Sequence, residues 1–245
     1  MAIEKQLVID RALAEESEWL RWRARRLGRA AGESIPFLPE QDEVGAFAGP
    51  SGQPSPGATG RALCHLRVLG AQDSGAAVIA ADWLESARTP AQAWLDRPED
   101  VPGELETPAA GRVWATASAS CALLAHGRDP GHRAIDLLRG EADLEGRFTG
   151  GAYPTFAAAG AYWLAEGPKT EMAEWALRWA REWPDDWWGP SERATALVFW
   201  GAAGIPAEHP SVESYLEILR DEVAGGEQHD LDVSLTLLEL LQHFD

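Results

Sequence analysis

The sequence contains little of what marks several protein classes. Only two cysteines, Cys64 and Cys121, occur in 245 residues, which excludes a disulfide framework and suits a reducing compartment. No run approaches the roughly 18 apolar residues of a membrane-spanning helix, and the first residues resemble no secretion signal. Lys and Arg total 21 against 39 Asp and Glu, a net charge of -18. We therefore expect a cytoplasmic protein that does not bind nucleic acid.

Strand signals are also missing, because Val, Ile and Thr do not alternate with polar residues between tight turns. The hydrophobic fraction is 45%, which is ordinary for a globular protein, but the chain has twelve tryptophans. These features together predict an all-α protein with large aromatic surfaces.

Three regions differ in pattern within one predicted domain, 1–245. Apolar residues at helical spacing predict a single helix over 5–31. The segment 32–60 is rich in proline and glycine and is predicted to be a long loop, a candidate lid. From 61 to 245, helical stretches alternate with short breaks.

The alternation in 61–245 has a period near 40 residues. Predicted helices end at Gly127, Gly167 and Gly204, which are 40 and 37 residues apart. Nearly uncharged helices precede these glycines, and amphipathic helices follow them, which indicates buried inner and half-exposed outer helices. The predicted fold is a closed α/α toroid of about five helical hairpins, with an open solenoid as the competing fold. The predicted inner helices are 61–71, 111–127, 153–167, 191–204 and 230–244.

The segments 132–148 and 171–189 resemble degenerate copies of the repeat of the squalene–hopene cyclase and prenyltransferase superfamily. The Gly-x-Trp turn of that repeat has counterparts at 146–148 and, loosely, at 186–189, whereas its Gln is missing from both copies. The resemblance covers about 61–245. It implies a toroid like the β-domain of terpene cyclases.

A second resemblance concerns the segment 230–235, Asp-Leu-Asp-Val-Ser-Leu, at the start of the last predicted helix. Class II terpene cyclases begin one inner helix with Asp-x-Asp-Asp-Thr-Ala, in which the middle Asp protonates the substrate. By this resemblance Asp232 is the general acid and Asp230 its neighbour. Val233 replaces the last Asp of the motif, which belongs to the network that tunes the acid. A capping role for Asp230 or Asp232 is the alternative.

Aromatic and basic residues supply the rest of the predicted site. Aromatic faces stabilise carbocations, and guanidinium groups near helix N-termini hold anions such as a diphosphate. The alternatives are that the aromatic residues fill the centre and that the arginines pair with nearby carboxylates. The predicted substrate-binding residues are Trp114, Tyr153, Phe156, Trp187, Trp188, Trp200, Arg61, Arg112 and Arg193.

The leading hypothesis is a terpene-cyclase-like enzyme that cyclises a hydrophobic, isoprenoid substrate without metal or cofactor. A non-catalytic toroid that binds a protein or peptide is one alternative. Acid/base catalysis on a sugar or peptide by carboxylates such as Glu192 and Asp232 is another. The basic aromatic run 19–26 suggests peripheral membrane contact at most, or else an outer helix paired with acidic neighbours.

Overall fold

The computed structural model describes residues 5–28, 35, 38, 41–103, 106–184, 188–225 and 230–245. This part of the chain is helical and has isolated β-bridges but no β-strand, which confirms the all-α prediction. Its helices are α1 (Lys5–Ala14), α2 (Glu18–Leu27), α3 (Pro56–Val68), α4 (Gly75–Ser86), α5 (Pro108–Ala125), α6 (His132–Arg139), α7 (Ala152–Glu166), α8 (Glu171–Glu182), α9 (Pro190–Ala202), α10 (Pro210–Gly225) and α11 (Leu231–Phe244).

Short local signals set the ends of these helices. Ser55 caps α3 by accepting a hydrogen bond from the Ala58 N–H at 2.9 Å, and a proline follows it in the first turn. Thr107 caps α5 in the same way, with the Ala110 N–H at 3.1 Å. Beyond α5 lies Gly127, at φ 70°, and beyond α9 lies Gly204, also at φ 70°. Both glycines adopt the left-handed conformation that ends helices.

The N-terminal region differs from the prediction of one helix over 5–31. Two helices, α1 and α2, replace it, and the break falls at 15–17. Ser17 adopts an extended conformation and its hydroxyl accepts a hydrogen bond from the Leu20 N–H at 3.3 Å. A serine before an acidic residue is an N-cap signal. Because apolar residues keep their helical spacing across 15–17, the sequence pattern predicts one continuous helix there instead.

The predicted loop 32–60 contains regular local structure in its described part. Antiparallel bridges join Gln41 to Phe47 and Ala48 to Pro54, and α3 already begins at Pro56. The proline-rich composition therefore marks two tight turns and a helix start. A lid function for this segment remains a prediction.

One of these turns is repeated later in the chain. Segments 41–49 (QDEVGAFAG) and 142–150 (ADLEGRFTG) share Asp, Gly, Phe and Gly at the same four positions. Asp42 and Asp143 each accept hydrogen bonds from the N–H groups two and four residues later, at 2.8 to 3.1 Å. In both copies the phenylalanine N–H donates to a threonine of the following helix at 2.9 Å. The repeat thus links each turn to the start of a buried helix.

The helices α3 and α5 pack side by side and run in the same direction. Near their first turns, a Cβ on Gly57 would clash with the Trp114 indole. Farther along, Cys64 Sγ lies 3.9 Å from Cys121 Sγ. Since the residue numbers of the contacting pairs increase along both helices, α3 and α5 are parallel. Small residues allow their close approach.

The same parallel arrangement extends to α7 and α9. Tyr153 donates a hydrogen bond to Glu192 at 2.9 Å, and Trp200 Nε1 donates to the Phe156 carbonyl at 3.2 Å. The helix α9 in turn contacts α3. Contacts therefore lead from α3 through α5, α7 and α9 back to α3, and α11 packs against α9, α1 and α2.

Candidate functional site

A cavity of about 380 Å³ lies where α2, α3, α9 and α11 meet. Its wall combines apolar residues, such as Trp19 of α2 and Phe47 of the first repeated turn, with polar and charged ones, such as Arg23, His65 and Asp232. Small-molecule sites in proteins commonly have volumes of roughly 300–1,000 Å³ and apolar walls with few polar groups. The cavity therefore has the size of a small-molecule site, with a more polar lining than most.

A buried ion pair lies at the polar side of this cavity. Arg23 of α2 and Glu239 of α11 have side chains that are only 1% and 2% exposed. Arg23 Nε and Nη2 donate to the two carboxylate oxygens of Glu239, each at 2.7 Å. Two parallel bonds of this kind form a strong charge-assisted pair. It joins α2 to α11 across 216 residues of sequence.

Arg23 also binds the cavity-facing side of α11. Its Nη1 group donates to an Asp232 carboxylate oxygen, and Nη2 donates to Thr236 Oγ1 at 2.7 Å. The Trp19 ring lies 5.5 Å from the guanidinium carbon and forms a cation–π contact. Within the basic run 19–26, Arg23 thus pairs with acidic neighbours, as one of the two sequence interpretations predicts, while Arg26 donates to the Leu69 and Gly70 carbonyls.

Ionisation of this pair is favoured on both sides. Burial alone raises the pKa of Glu239, but Arg23 and His65 outweigh it and bring the pKa below its ordinary value. Burial also lowers the pKa of Arg23, and Glu239 and Asp232 reverse this and raise it. The pair is therefore charged at neutral pH.

His65 connects the ion pair to the cavity. Its side chain is 19% exposed and lines the cavity from α3, and Nε2 lies 2.9 Å from a Glu239 oxygen. Within the described chain, the other ring nitrogen, Nδ1, makes no hydrogen bond. An imidazole held in this way presents its free nitrogen for acid–base chemistry.

The two predicted catalytic carboxylates lie at the start of α11. Asp230 caps this helix, because its carboxylate accepts a hydrogen bond from the Asp232 N–H at 2.9 Å. Asp232 lines the cavity, but its side chain is 61% exposed and pairs with Arg23. A nearby guanidinium favours the ionised carboxylate. The general-acid role of Asp232 stays a prediction, and this ion pair weighs against it.

Of the three predicted anion-binding arginines, only Arg61 lines the cavity. In the part of the chain that the structure describes, Arg61 makes no ion pair or hydrogen bond. Arg112 instead donates to Glu141 at 2.6 Å, which is the pairing that the sequence offers as the alternative. Arg193 lies on α9 and does not line the cavity.

The predicted aromatic pocket residues pack against one another elsewhere. Phe156 lies at the centre, with ring centroids 6.1 Å from Tyr153, 5.3 Å from Trp188 and 6.0 Å from Trp200. Trp114 contacts Tyr153 edge-on at 6.3 Å. None of these five lines the 380 Å³ cavity, and Trp187 lies outside the described residues. Their arrangement corresponds to the alternative in which aromatic residues fill the centre.

Glu192, the second carboxylate of the acid/base alternative, is also held away from the cavity lining. Its carboxylate accepts hydrogen bonds from the Gly189 N–H at 2.8 Å and the Tyr153 hydroxyl at 2.9 Å. These bonds cap α9 and tie it to α7. Asp232 and Glu192 therefore do not converge on this cavity.

The structure also contains a buried carboxyl group, that of Asp96, which the sequence analysis did not predict. Asp96 accepts hydrogen bonds from the Gly57 N–H at 2.8 Å and Ser55 Oγ at 2.9 Å, at the start of α3. Burial raises its pKa to about 7, although the two hydrogen bonds oppose the shift. Asp100 lies close enough to raise it further.

The sequence contains only weak signals for the cluster of Arg23, His65 and Glu239 at the cavity. Glu239 is the only charged residue within the apolar run 233–241, and such a charge at a core position usually has a partner. His65 follows Cys64 in a buried helix without any motif. The sequence does not indicate that these residues meet Arg23.

Neither a metal site nor a membrane span is found in the described ranges. No group of three or more His, Cys, Asp and Glu side chains there is arranged to hold a metal ion. The described helices also lack the length and apolar character needed to cross a bilayer.

No model of a known protein family matches this chain, and no curated protein matches it in sequence.

Proposed function

We propose that the protein is an α/α toroid that binds a small, mainly apolar molecule of the isoprenoid class in the cavity between α2, α3, α9 and α11. The observation that carries the proposal is the cavity itself, in which aromatic and aliphatic side chains lie beside charged and hydroxyl groups. Such a lining suits a ligand with a hydrocarbon body and one polar end.

The toroid is supported by the direction and contacts of the buried helices. The helices α3, α5, α7 and α9 run parallel, and their contacts lead back to α3. Connections through outer helices are needed to return the chain between parallel inner helices. The repeated turns at 41–49 and 142–150 extend the resemblance to cyclase repeats into a segment first interpreted as a loop.

Proton-initiated cyclisation of the bound isoprenoid is a second candidate function. It is favoured by the position of Asp232, which lines the cavity together with Trp19 and Phe47. Protonation of an alkene needs a neutral carboxyl group in a dry site. Asp232 is exposed to water and pairs with Arg23, and both features favour the ionised carboxylate. We therefore place binding ahead of cyclisation.

Equilibrium dialysis with radiolabelled farnesol tests the binding proposal. Ala62 lines the cavity, so the variant Ala62→Phe fills part of it, while Val78→Phe adds the same ring on the exposed face of α4. We expect the wild type and Val78→Phe to bind farnesol alike and Ala62→Phe to bind at least about tenfold more weakly, a change of roughly 1.4 kcal/mol. Equal binding by all three proteins would move the ligand to another site.

Product analysis by gas chromatography–mass spectrometry tests the second candidate. Linear isoprenoids, with and without a terminal diphosphate, are incubated with the wild type and with Asp232→Asn. A cyclic product that disappears in the variant would support Asp232 as the acid. A product that persists would leave cyclisation in place and exclude Asp232.

A further inference from the structure

His65 is the one histidine among the described residues that line the cavity. Imidazole is the side chain that gains and loses a proton most readily near neutral pH. Its position on α3 places it in the wall of the cavity, near Ala62 and Leu66 of the same helix. The orientation of its ring then decides what it does there.

The surrounding hydrogen bonds define which ring nitrogen carries the proton. Arg23 donates to both oxygens of Glu239, which keeps this carboxylate ionised and therefore an acceptor only. Since Nε2 of His65 lies 2.9 Å from one of these oxygens, Nε2 must carry hydrogen and donate it. In the neutral ring, Nδ1 then holds the free electron pair.

Four charged groups surround the ring. Arg23 brings one positive charge from α2, and Glu239 and Asp232 bring two negative charges from α11. The residues that line the cavity from α9 carry no charge, and Arg61 adds a positive charge from α3. These two positive and two negative charges cancel, and the bond from Nε2–H to Glu239 fixes the ring without using Nδ1.

We propose that His65 is the general base of this cavity and removes a proton from a weakly acidic C–H or O–H group of a mainly apolar ligand. The bond between hydrogen and the ligand breaks, the new N–H bond forms at Nδ1, and the electron pair stays on the ligand. Arg61 supplies positive charge for the anion that results. Glu239 and Arg23 are positioning residues, because they act through the imidazole. The proposal rests on the proposed function in one respect, that the cavity admits such a ligand.

Kemp elimination of 5-nitrobenzisoxazole provides a direct test, because this small aromatic probe reports a positioned base in an apolar site. The base removes the hydrogen on the ring carbon next to nitrogen. The electrons of that bond complete a nitrile, the N–O bond of the ring breaks, and the oxygen takes up its electron pair, so that a single ring-opened cyanophenolate forms. The reaction needs no other reactant, and its coloured product is followed by absorbance.

We expect saturable elimination by the wild type that slows as the pH is lowered and the imidazole is protonated. His65→Gln should reduce the rate by at least about tenfold, a modest share of the roughly 10²–10⁴ that a positioned base contributes. Glutamine keeps a donor for Glu239, and thermal melting checks that the variant folds. His132→Gln is the matched control, since His132 is exposed at the start of α6. An unchanged rate in His65→Gln, or no saturable rate in the wild type, would overturn the proposal.

A second measurement does not depend on any variant. Nitrogen-15 NMR of the wild-type imidazoles at mildly alkaline pH should show His65 protonated at Nε2 and unprotonated at Nδ1. The opposite tautomer would overturn the proposal, because Nδ1 would then have no electron pair to accept a proton.

The farnesol experiment separates this proposal from the proposed function. Farnesol binding without elimination dependent on His65 would reject the base and leave the binding site in place. Elimination dependent on His65 without farnesol binding would support the base and reject the isoprenoid ligand. Loss of both would reject both proposals.

Discussion

The aromatic centre around Phe156 and the charged cluster around Arg23 are built in opposite ways. In the centre, rings contact one another edge-on, and the helices that carry them run parallel. Around Arg23, two carboxylates and a histidine converge beside a cavity. In this protein, therefore, the many aromatic residues form the packed core. The candidate site lies instead where a few charged residues occur in otherwise apolar helices.

The largest expected effect comes from breaking the buried ion pair. Arg23→Met removes the guanidinium and leaves the Glu239 carboxylate, only 2% exposed, without its main partner. Removing one member of a buried pair typically costs about 3–5 kcal/mol. Denaturant unfolding monitored by circular dichroism should show a loss of this size.

Two further variants serve as controls for Arg23→Met. Arg11→Met changes an exposed arginine of α1, and the free energy of unfolding should stay within about 0.5 kcal/mol of wild type. The double variant Arg23→Met/Glu239→Leu should be more stable than Arg23→Met alone, because no buried charge remains unpaired. If the double variant is the less stable one, desolvation of Glu239 is not the cause of the loss.

The next effect concerns the packing of α3 on α5. A Cβ on Gly60 would lie 2.5 Å from the carbonyl carbon of Ser118, so Gly60→Ala must push the two helices apart. We expect a loss of about 3 kcal/mol, at the upper end of the usual range for overpacking. Gly75→Ala at the start of α4 is the control, since nothing lies within 4 Å of its added Cβ. Equal stability of both variants would mean that the α3–α5 contact is looser than described.

Asp96 makes the free energy of unfolding depend on pH. Burial raises its pKa to about 7 in the folded protein, well above the ordinary value for Asp. The folded state therefore binds more protons than the unfolded state between about pH 4 and pH 7, and this contribution to stability is lost as the pH rises through that window.

Asp96→Asn should remove this dependence. Relative to the variant, the wild type is expected to lose about 3 kcal/mol of unfolding free energy between pH 4 and pH 7. Urea unfolding of both proteins across this range measures the difference. Parallel curves for the two proteins would show that the carboxyl group ionises as readily in the folded state as in the unfolded chain.

Much of the helical framework follows from local sequence. The glycines at 127, 167 and 204 do end helices, and the predicted inner helices from 111 to 244 agree with the observed helices within a few residues. Prolines that follow Ser55 and Thr107 mark helix starts for a physical reason, since proline lacks the N–H that a first turn leaves unpaired. Such signals act over a few residues, and the sequence displays them directly.

The candidate site depends on contacts that local sequence does not encode. Arg23 and Glu239 are 216 residues apart, and only the packing of α2 on α11 brings them together. The turn at 41–49 was missed because its proline-rich surroundings hid the match to 142–150. The sequence predicts that aromatic residues on inner helices line a cavity, but edge-on and tilted ring contacts let them pack together instead.

The smallest expected effect separates the two carboxylates that bind Arg23. Asp232 is 61% exposed, so water screens its charge, and Asp232→Asn should change the free energy of unfolding by no more than about 1 kcal/mol. Guanidinium chloride and urea unfolding, which differ in ionic strength, provide the measurement. A loss as large as that of Arg23→Met would mean that Asp232 is shielded from water in solution. A pair of that strength would hold the Asp232 carboxylate ionised, whereas an alkene-protonating acid must be neutral, so it would place simple binding further ahead of cyclisation.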